Sequence, residues 1–175
     1  SLKSKIMSAE EAAQLVKSGM SIGLSGFTSV GYPKAVPSAL AASGHAKALT
    51  ILVGAAVGDD CDGALVRAGC VKKRFGHQTN KDLRTAINNG SVSFSDIHIS
   101  HFPMNLNQQT LQGVDVAIVE CVAITEDGLY LCASAGSTDA AVHNARFVIA
   151  EVNTSVPMGL MGMHDIFEVG IPPHA

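Results

Sequence analysis

Charge is what this sequence has least of. Asp, Glu, Lys and Arg make up 15 % of its 175 residues, while 47 % are apolar; a typical soluble domain carries about 25 % charge. Disorder is excluded, because a disordered chain needs low hydrophobicity and high charge. The charges are also too few to cover the roughly 8,000 Å² surface expected of a folded chain of this mass, so part of the surface is expected to face another polypeptide. A net charge of −3 leaves no general nucleic-acid footprint. No apolar run approaches the ~18 residues of a membrane span. Ser1-Leu2-Lys3-Ser4-Lys5 has no apolar stretch behind its charges and does not read as a signal peptide. With no initiator Met, the natural start is left open; the expected location is cytoplasmic, or mitochondrial for a eukaryotic protein whose leader has been removed. No pair among Cys61, Cys70, Cys121 and Cys132 has the CxxC spacing of a zinc or redox site. Four reduced, mostly buried thiols are expected.

What is present is an alternation of strand and helix patterns. Ser8-Ala9-Glu10-Glu11 is a capping box and Gly19 a stop, which predicts a helix over 8–18. A short strand at 20–25 runs into a glycine-rich loop. A second helix is predicted at 33–42, its boundaries blurred by Pro37, then a buried strand at 50–53 and a short helix at 62–68. Thr79-Asn80-Lys81-Asp82 opens a helix that ends before Gly90, with Thr79 as its N-cap. Strands follow at 96–100 and 114–122, the second the longest apolar run and so central. A hairpin turns at Asp127-Gly128, a helix covers 138–144, a final buried strand 147–152, and the last twenty residues read as an extended arm. This order argues for one α/β domain with a mostly parallel sheet covered by helices.

Several motifs fall short of a chemistry. The loop 23–31 lies where an α/β sheet binds ligands, but it lacks GxGxxG spacing. Gly26 and Gly31 fit a Walker A loop until Tyr32-Pro33 stand in place of Lys and Ser/Thr. Cys132-Ala133-Ser134-Ala135-Gly136 misses the first glycine of a nucleophile elbow. His98 and His101, three apart on a predicted strand, would face opposite ways and not share a metal. Asp59, Asp60 and Asp62 could bind a divalent ion or simply cap a helix in solvent. Residues 67–84 carry half of the basic side chains and one acid, Asp82. Such a patch could meet phosphates or be an ordinary solvated face.

The segment Ser25-Gly26-Phe27-Thr28-Ser29-Val30-Gly31-Tyr32-Pro33-Lys34-Ala35-Val36-Pro37 resembles the signature of the acetyl-CoA hydrolase/transferase family, closest to its succinate-type acetate CoA-transferases. Gln78-Thr79 within Arg74 to Arg84, the run Ala123 to Gly128, Glu151-Val152-Asn153, and Gly162-Met163-His164-Asp165-Ile166 resemble further family blocks, in family order. The resemblance implies a Rossmann-like, CoA-transferase (NagB/RpiA-like) fold. It makes 1–175 an N-terminal domain, with 155–175 an arm leading to a C-terminal domain that holds the catalytic glutamate. No residue here matches that glutamate, so no catalytic residue is assigned. By resemblance Gly26, Phe27 and Gly31 face the cleft, Gln78 and Thr79 approach the bound carboxylate, and Ala56 stands where some relatives carry a hydroxyl. Coenzyme A is implied as substrate, with no permanently bound cofactor or metal. The implied partners are an acyl-CoA, a small carboxylic acid, the C-terminal domain and further copies in a homo-oligomer, without nucleic acid or membrane. A different class stays open: a stand-alone binding or regulatory module on the same fold. The loop at 26–37 and the segment 156–171, rich in Phe, Tyr, Val and Met, are expected to pack on a partner rather than in the chain's own core.

Overall fold

The computed structural model describes residues 2–55, 57–126 and 128–157. In chain order they form α1 (Ala9–Ala13), β1 (Ser21–Leu24), α2 (Ala35–Ser43), β2 (Leu49–Leu52), a π-helical turn (Asp59–Gly63) continuing into α3 (Ala64–Arg67), β3 (Val71–Phe75), α4 (Lys81–Asn88) and β4 (Ser93–Ser95). A 3-10 turn (Ile99–His101) then leads into α5 (Phe102–Asn107), β5 (Val114–Cys121), a hairpin of β6 (Ala123–Ile124) and β7 (Leu129–Tyr130), α6 (Thr138–Asn144) and β8 (Ala145–Val152). Six strands pair in the order β4-β3-β2-β1-β5-β8, every pair parallel.

The long apolar run of β5 follows from burial on both faces. Val116 and Ile118 join Ile22, Leu40, Leu49 and Ile51 on the side of α1 and α2. Ala117 and Val119 join Phe102, Leu106, Ala141 and Val142 on the side of α5 and α6. Alternate residues of one strand thus feed two cores.

Most elements lie where the sequence predicts them, and the differences have physical causes. The Ser8–Glu11 capping box is formed in both directions, but α1 stops at Ala13 rather than residue 18. The amides of Leu15 and Val16 turn to the carbonyls of Ala12 and Ala13, three residues back, and this tightened turn brings Val16 into the core. The N-cap of α4 is Asn80, whose side chain accepts from Leu83 N, not Thr79. The strand expected at 96–100 is instead the three-residue β4, and 99–107 is helical, with Pro103 in the first turn where its missing N–H costs nothing. Strand β3 has no apolar signature and is not apparent from the sequence. Strand β8 is an edge rather than a buried strand, with Val152 exposed. Pro37 sits at the third position of α2, where no helical donor is needed. Among the described residues no helix is long and apolar enough to cross a membrane, and all four cysteines are buried and free. The segment 158–175, most of the expected arm, lies outside the described residues.

Candidate functional site

After β1 the chain folds back within two residues. Phe27 and Val30 exchange both backbone hydrogen bonds, at 3.0 and 3.2 Å, around Thr28 at φ 55°. Positive φ is strained for a β-branched residue, and the turn leaves Phe27 and Val30 nearly half exposed. Below it, Ser25 Oγ donates to Gly31 O at 2.6 Å and accepts from Glu120 N at 2.9 Å. Gly26 and Gly31, at φ 100° and 73°, allow backbone approaches that no side chain permits. A Cβ on Gly26 would lie 2.7 Å from Tyr32 N, and one on Gly31 would lie 2.6 Å from Ser134 O and 2.8 Å from Cys132 Sγ.

The rest of the signature segment is held inside the molecule. Tyr32 and Val36 are buried in the chain's own core, contrary to the expectation that they pack on a partner; only Phe27 and Val30 of that loop's four large apolar residues stay exposed. The Tyr32 hydroxyl donates to Asp60 Oδ1 at 2.7 Å; burial first, then the Asp60 carboxylate, pushes this phenol well above its ordinary pKa. Lys34 Nζ donates to Tyr32 O at 2.7 Å, pairs with the buried Glu120 carboxylate and lies over the Tyr32 ring. Asn153 Nδ2 donates to the other Glu120 oxygen at 3.3 Å. Glu151, near the end of β8, accepts from three successive amides: Lys34 N at 2.7 Å, Ala35 N at 3.0 Å and Val36 N at 3.0 Å. A carboxylate from the sheet edge thus occupies the N-terminus of α2, and the next residue, Pro37, has no donor to satisfy.

A cavity of about 220 Å³ opens at the carboxyl ends of the strands, lined by Gly54, Ala55, Ile99, Ser100, Pro103, Gly136 and Ser137. Gly54 and Ala55 follow β2, while Gly136 and Ser137 precede α6, with Gly136 against the carbonyl of Gly26. Chain order reverses between β1 and β5, the kind of place where open α/β sheets take ligands. Among the described residues the lining offers hydroxyls and backbone, with no titratable side chain, and the cavity can receive a small group. A second cleft, about 270 Å³, lies at the opposite end of the sheet near Thr50, Lys72, Lys73 and Gln112; it is larger but on the wrong side of the strands for this architecture.

Gln78 follows β3 and is half-buried; among the described residues its Oε1 is the one buried side-chain oxygen or nitrogen without a hydrogen-bond partner. Such a group costs about 1–3 kcal/mol until a partner arrives. Turning the carboxamide over would place its NH2 there, a donor suited to a carboxylate. Thr79 is exposed and caps nothing. The helix end expected to serve a ligand there is closed by Asn80, which also donates to Asp59 at 2.8 Å. Ala56 lies outside the described residues.

The other candidates resolve individually. Asp59 pairs with Arg67 and Asn80, which hold its carboxyl below the usual range; Asp60 takes the Tyr32 hydroxyl and Asp62 pairs with Arg74. The triple is a set of structural acceptors, not a cation site. His98 and His101 lie on the 3-10 turn and its N-cap, where a spacing of three brings side chains together, and their ring centroids are 5.4 Å apart. Among the described residues no group of three or more His, Cys, Asp or Glu could hold a metal. The basic patch is broken up as well: Arg67 bridges Asp59 and Asp82, and Arg74 is wholly buried. Sequence reading missed Arg74, Glu120 and Glu151. Glu120 and Glu151 carried one sequence signal, a charged residue inside an otherwise apolar strand pattern, and Arg74, next to Lys72 and Lys73, carried none.

Residues 1–172 match the acetyl-CoA hydrolase/transferase N-terminal domain. The chain is 40 % identical to the succinyl-CoA:acetate CoA-transferase of Clostridium kluyveri over 98 % of its own length and 33 % of that protein's. It is 36 % identical to an acetyl-CoA hydrolase of Schizosaccharomyces pombe, over 99 % of its length and 37 % of the relative's. It therefore spans about a third of the length of the curated relatives it matches. The glutaconate coenzyme A-transferase of Acidaminococcus fermentans superposes with a TM-score of 0.70 at 20 % identity, over 83 % of this chain and 66 % of that one, a likeness of fold.

Proposed function

The chain belongs to the acetyl-CoA hydrolase/transferase family as an N-terminal domain, and from that premise we propose that it forms the acyl- and carboxylate-binding half of an enzyme moving CoA between an acyl-CoA (acetyl-, propionyl- or succinyl-CoA) and a small carboxylate such as acetate or succinate. Coenzyme A enters as substrate. The observation that carries this reading is a cavity at the carboxyl ends of the strands whose walls, among the described residues, are glycine, alanine, serine, proline and isoleucine, with no titratable group. The site is suited to receiving a ligand and depends on chemistry brought to it. In this reading the nucleophile is a glutamate of a C-terminal domain: it attacks the acyl carbonyl and expels the CoA thiolate to give a mixed anhydride. The thiolate then attacks the glutamyl carbonyl, releasing the acyl group as its carboxylate and leaving a glutamyl-CoA thioester from which the second carboxylate takes CoA by the reverse steps. Among the described residues the buried carboxylates, Glu120 and Asp62, are committed to Lys34 and Arg74, and the half-buried Glu151 to the amides of α2. Gly26, Gly31 and Phe27 shape the cleft side of the loop, Ala56 belongs to the segment following Gly54 and Ala55, and Gln78 and Thr79 meet the carboxylate.

The test is an assay of succinyl-CoA with acetate. The 175-residue chain alone gives no turnover, and the full-length protein that carries it gives acetyl-CoA. Turnover by the chain alone at a rate comparable to the full-length protein would overturn the division of labour; a full-length protein that neither transfers CoA nor hydrolyses acetyl-CoA would overturn the function.

A further inference from the structure

Arg74 has no solvent exposure, although it lies in the most basic stretch of the sequence. Its guanidinium meets the buried Asp62 carboxylate in a fork, Nε to Oδ1 at 3.2 Å and Nη2 to Oδ2 at 3.0 Å. The remaining donors go to backbone carbonyls: Nη1 to Val53 O at 3.1 Å, Gly76 O at 3.2 Å and Phe75 O, and Nη2 to Ala55 O at 3.3 Å and His77 O at 3.3 Å. Four of these carbonyls lie past the ends of β2 and β3, and the fifth, Phe75 O, closes β3 and also accepts from Val53 N at 3.5 Å. Where neighbouring strands end and their loops diverge, carbonyls lose their ladder partners and need donors from elsewhere. One planar fork supplies them at both strand ends at once. The two segments are pressed together at this point: Gly76, at φ 89°, has Gly54 Cα 3.2 Å from where its Cβ would be. Immediately beyond lie Gly54 and Ala55, which line the cavity, and Gln78, whose buried oxygen lacks a partner.

We propose that Arg74, braced by Asp62, is a positioning residue of the site: without touching substrate, it fixes the spacing between the cavity wall at Gly54–Ala55 and the Gln78 carboxamide. This inference rests on the function proposed above. A buried ion pair alone is weak evidence for a stabilising role. What singles this one out is that its hydrogen bonds join the segment that lines the cavity, at Gly54–Ala55, to the segment that carries Gln78. An apolar replacement could fill the space but would leave the five carbonyls without these donors, and Lys would keep the charge but lose the fork.

The experiment uses the full-length protein with Arg74→Lys and Asp62→Asn. Expected for Arg74→Lys is a fall in kcat of about 10²-fold, the usual consequence of displacing a site by about an ångström, and a raised KM for the carboxylate with the KM for acyl-CoA unchanged. Asp62→Asn, which keeps one acceptor, falls between Arg74→Lys and wild type. Hydrogen exchange on the same proteins should show faster exchange confined to 53–55 and 75–78, with β1 and β5 as protected as in wild type. Unchanged kinetics per folded molecule, or protection lost evenly across the sheet, would overturn the inference and leave a structural ion pair. If wild type neither transfers nor hydrolyses, the proposed function falls, and the exchange pattern alone decides whether the clamp is local.

Discussion

Removing the Glu151 side chain should cost the domain more than an ordinary helix cap. In Glu151→Ala three amides, those of Lys34, Ala35 and Val36, lose one shared carboxylate 2.7–3.0 Å away. A hydrogen bond to a charged group contributes about 1.5–3 kcal/mol, and loss of a single N-cap about 0.5–2 kcal/mol. The three bonds do not add, because Ala35 lies near solvent and water can replace part of the loss. A total of about 2–3 kcal/mol follows. For a domain of this size each kcal/mol moves Tm by about 2–4 °C, so a fall of about 4–12 °C is expected. Glu151→Gln separates acceptor from charge. Oε1 serves Lys34 and Ala35 while Oε2 serves Val36, so the amide keeps one oxygen for two donors and turns an NH2 toward the third; about half the loss should remain. Urea denaturation of the three proteins reads these values directly. The reasoning fails if Glu151→Ala costs less than about 0.5 kcal/mol, or if the Gln variant is as unstable as the Ala variant, which would mean that charge and not acceptor count matters.

Gly31→Ala should destabilise by about 2–4 kcal/mol, because a left-handed φ costs about 1–2 kcal/mol and the methyl group meets Ser134 O and Cys132 Sγ. Gly44→Ala, at φ 58° with its nearest neighbour 3.7 Å away, isolates the conformational part; equal losses in urea denaturation would show that crowding at Gly31 is absent. Burial raises the thiols of Cys61 and Cys70, and that of Cys121 to about 12, above the ordinary value of 9.0. The unfolded chain therefore releases these protons first, so stability holds below about pH 9 and falls above it, by up to about 1.4 kcal/mol per pH unit for each fully shifted group; denaturation midpoints that do not drop between pH 8 and pH 10 would contradict this burial. Asn80→Ala should cost about 1 kcal/mol as a lost cap, whereas Thr79→Val should leave stability within about 0.5 kcal/mol. A raised carboxylate KM in the full-length Thr79→Val protein would keep Thr79 in the site, and unchanged kinetics would remove it.

The parallel sheet was legible because its interior strands carry the pattern that burial on two faces imposes, as Val114–Cys121 does. Strand β3 was not, because Val71–Phe75 is mostly basic and its pairing is stabilised by an arginine whose partners are backbone carbonyls of another strand end. No local pattern encodes that arrangement. The error at Thr79 is of the same kind. Thr79 and Asn80 are both good N-caps, and the choice between them falls to Asn80, whose amide also reaches Asp59 of the π-helical turn. Resemblance selected Gln78, and the structure gives it a physical mark in the form of a buried acceptor without a partner. Sequence alone had no means of finding that mark, since it is a property of the surroundings of Gln78 rather than of its type.

Beyond the ligand contact proposed for it, the signature segment 25–37 is tied into the fold by its own side chains and amides. Ser25 ties the turn to β5, Tyr32 ties it to the π-helical turn, Lys34 ties it to Glu120, and the amides at 34–36 take Glu151 from the sheet edge. Each of these bonds joins the loop to an element far away in sequence, and together they reach both sides of the point where the sheet reverses direction. A loop held this way keeps its exposed tip, Phe27 and Val30, in a fixed place despite strain at Thr28. The motif therefore consists of two kinds of residue. Phe27 at the exposed tip faces outward, and its substitution should change ligand handling, whereas Gly26 and Gly31 lie buried beneath it and their substitution should change stability. Ser25, Tyr32, Lys34 and Val36 anchor the loop inward, and substitutions there should change stability first and ligand handling only as the tip shifts. Comparing Phe27→Ala with Lys34→Met in the full-length protein separates the two: the first should alter kinetics at wild-type stability and the second should lower Tm. If Phe27→Ala lowered stability as much as Lys34→Met, the tip would belong to the core and the division would not hold.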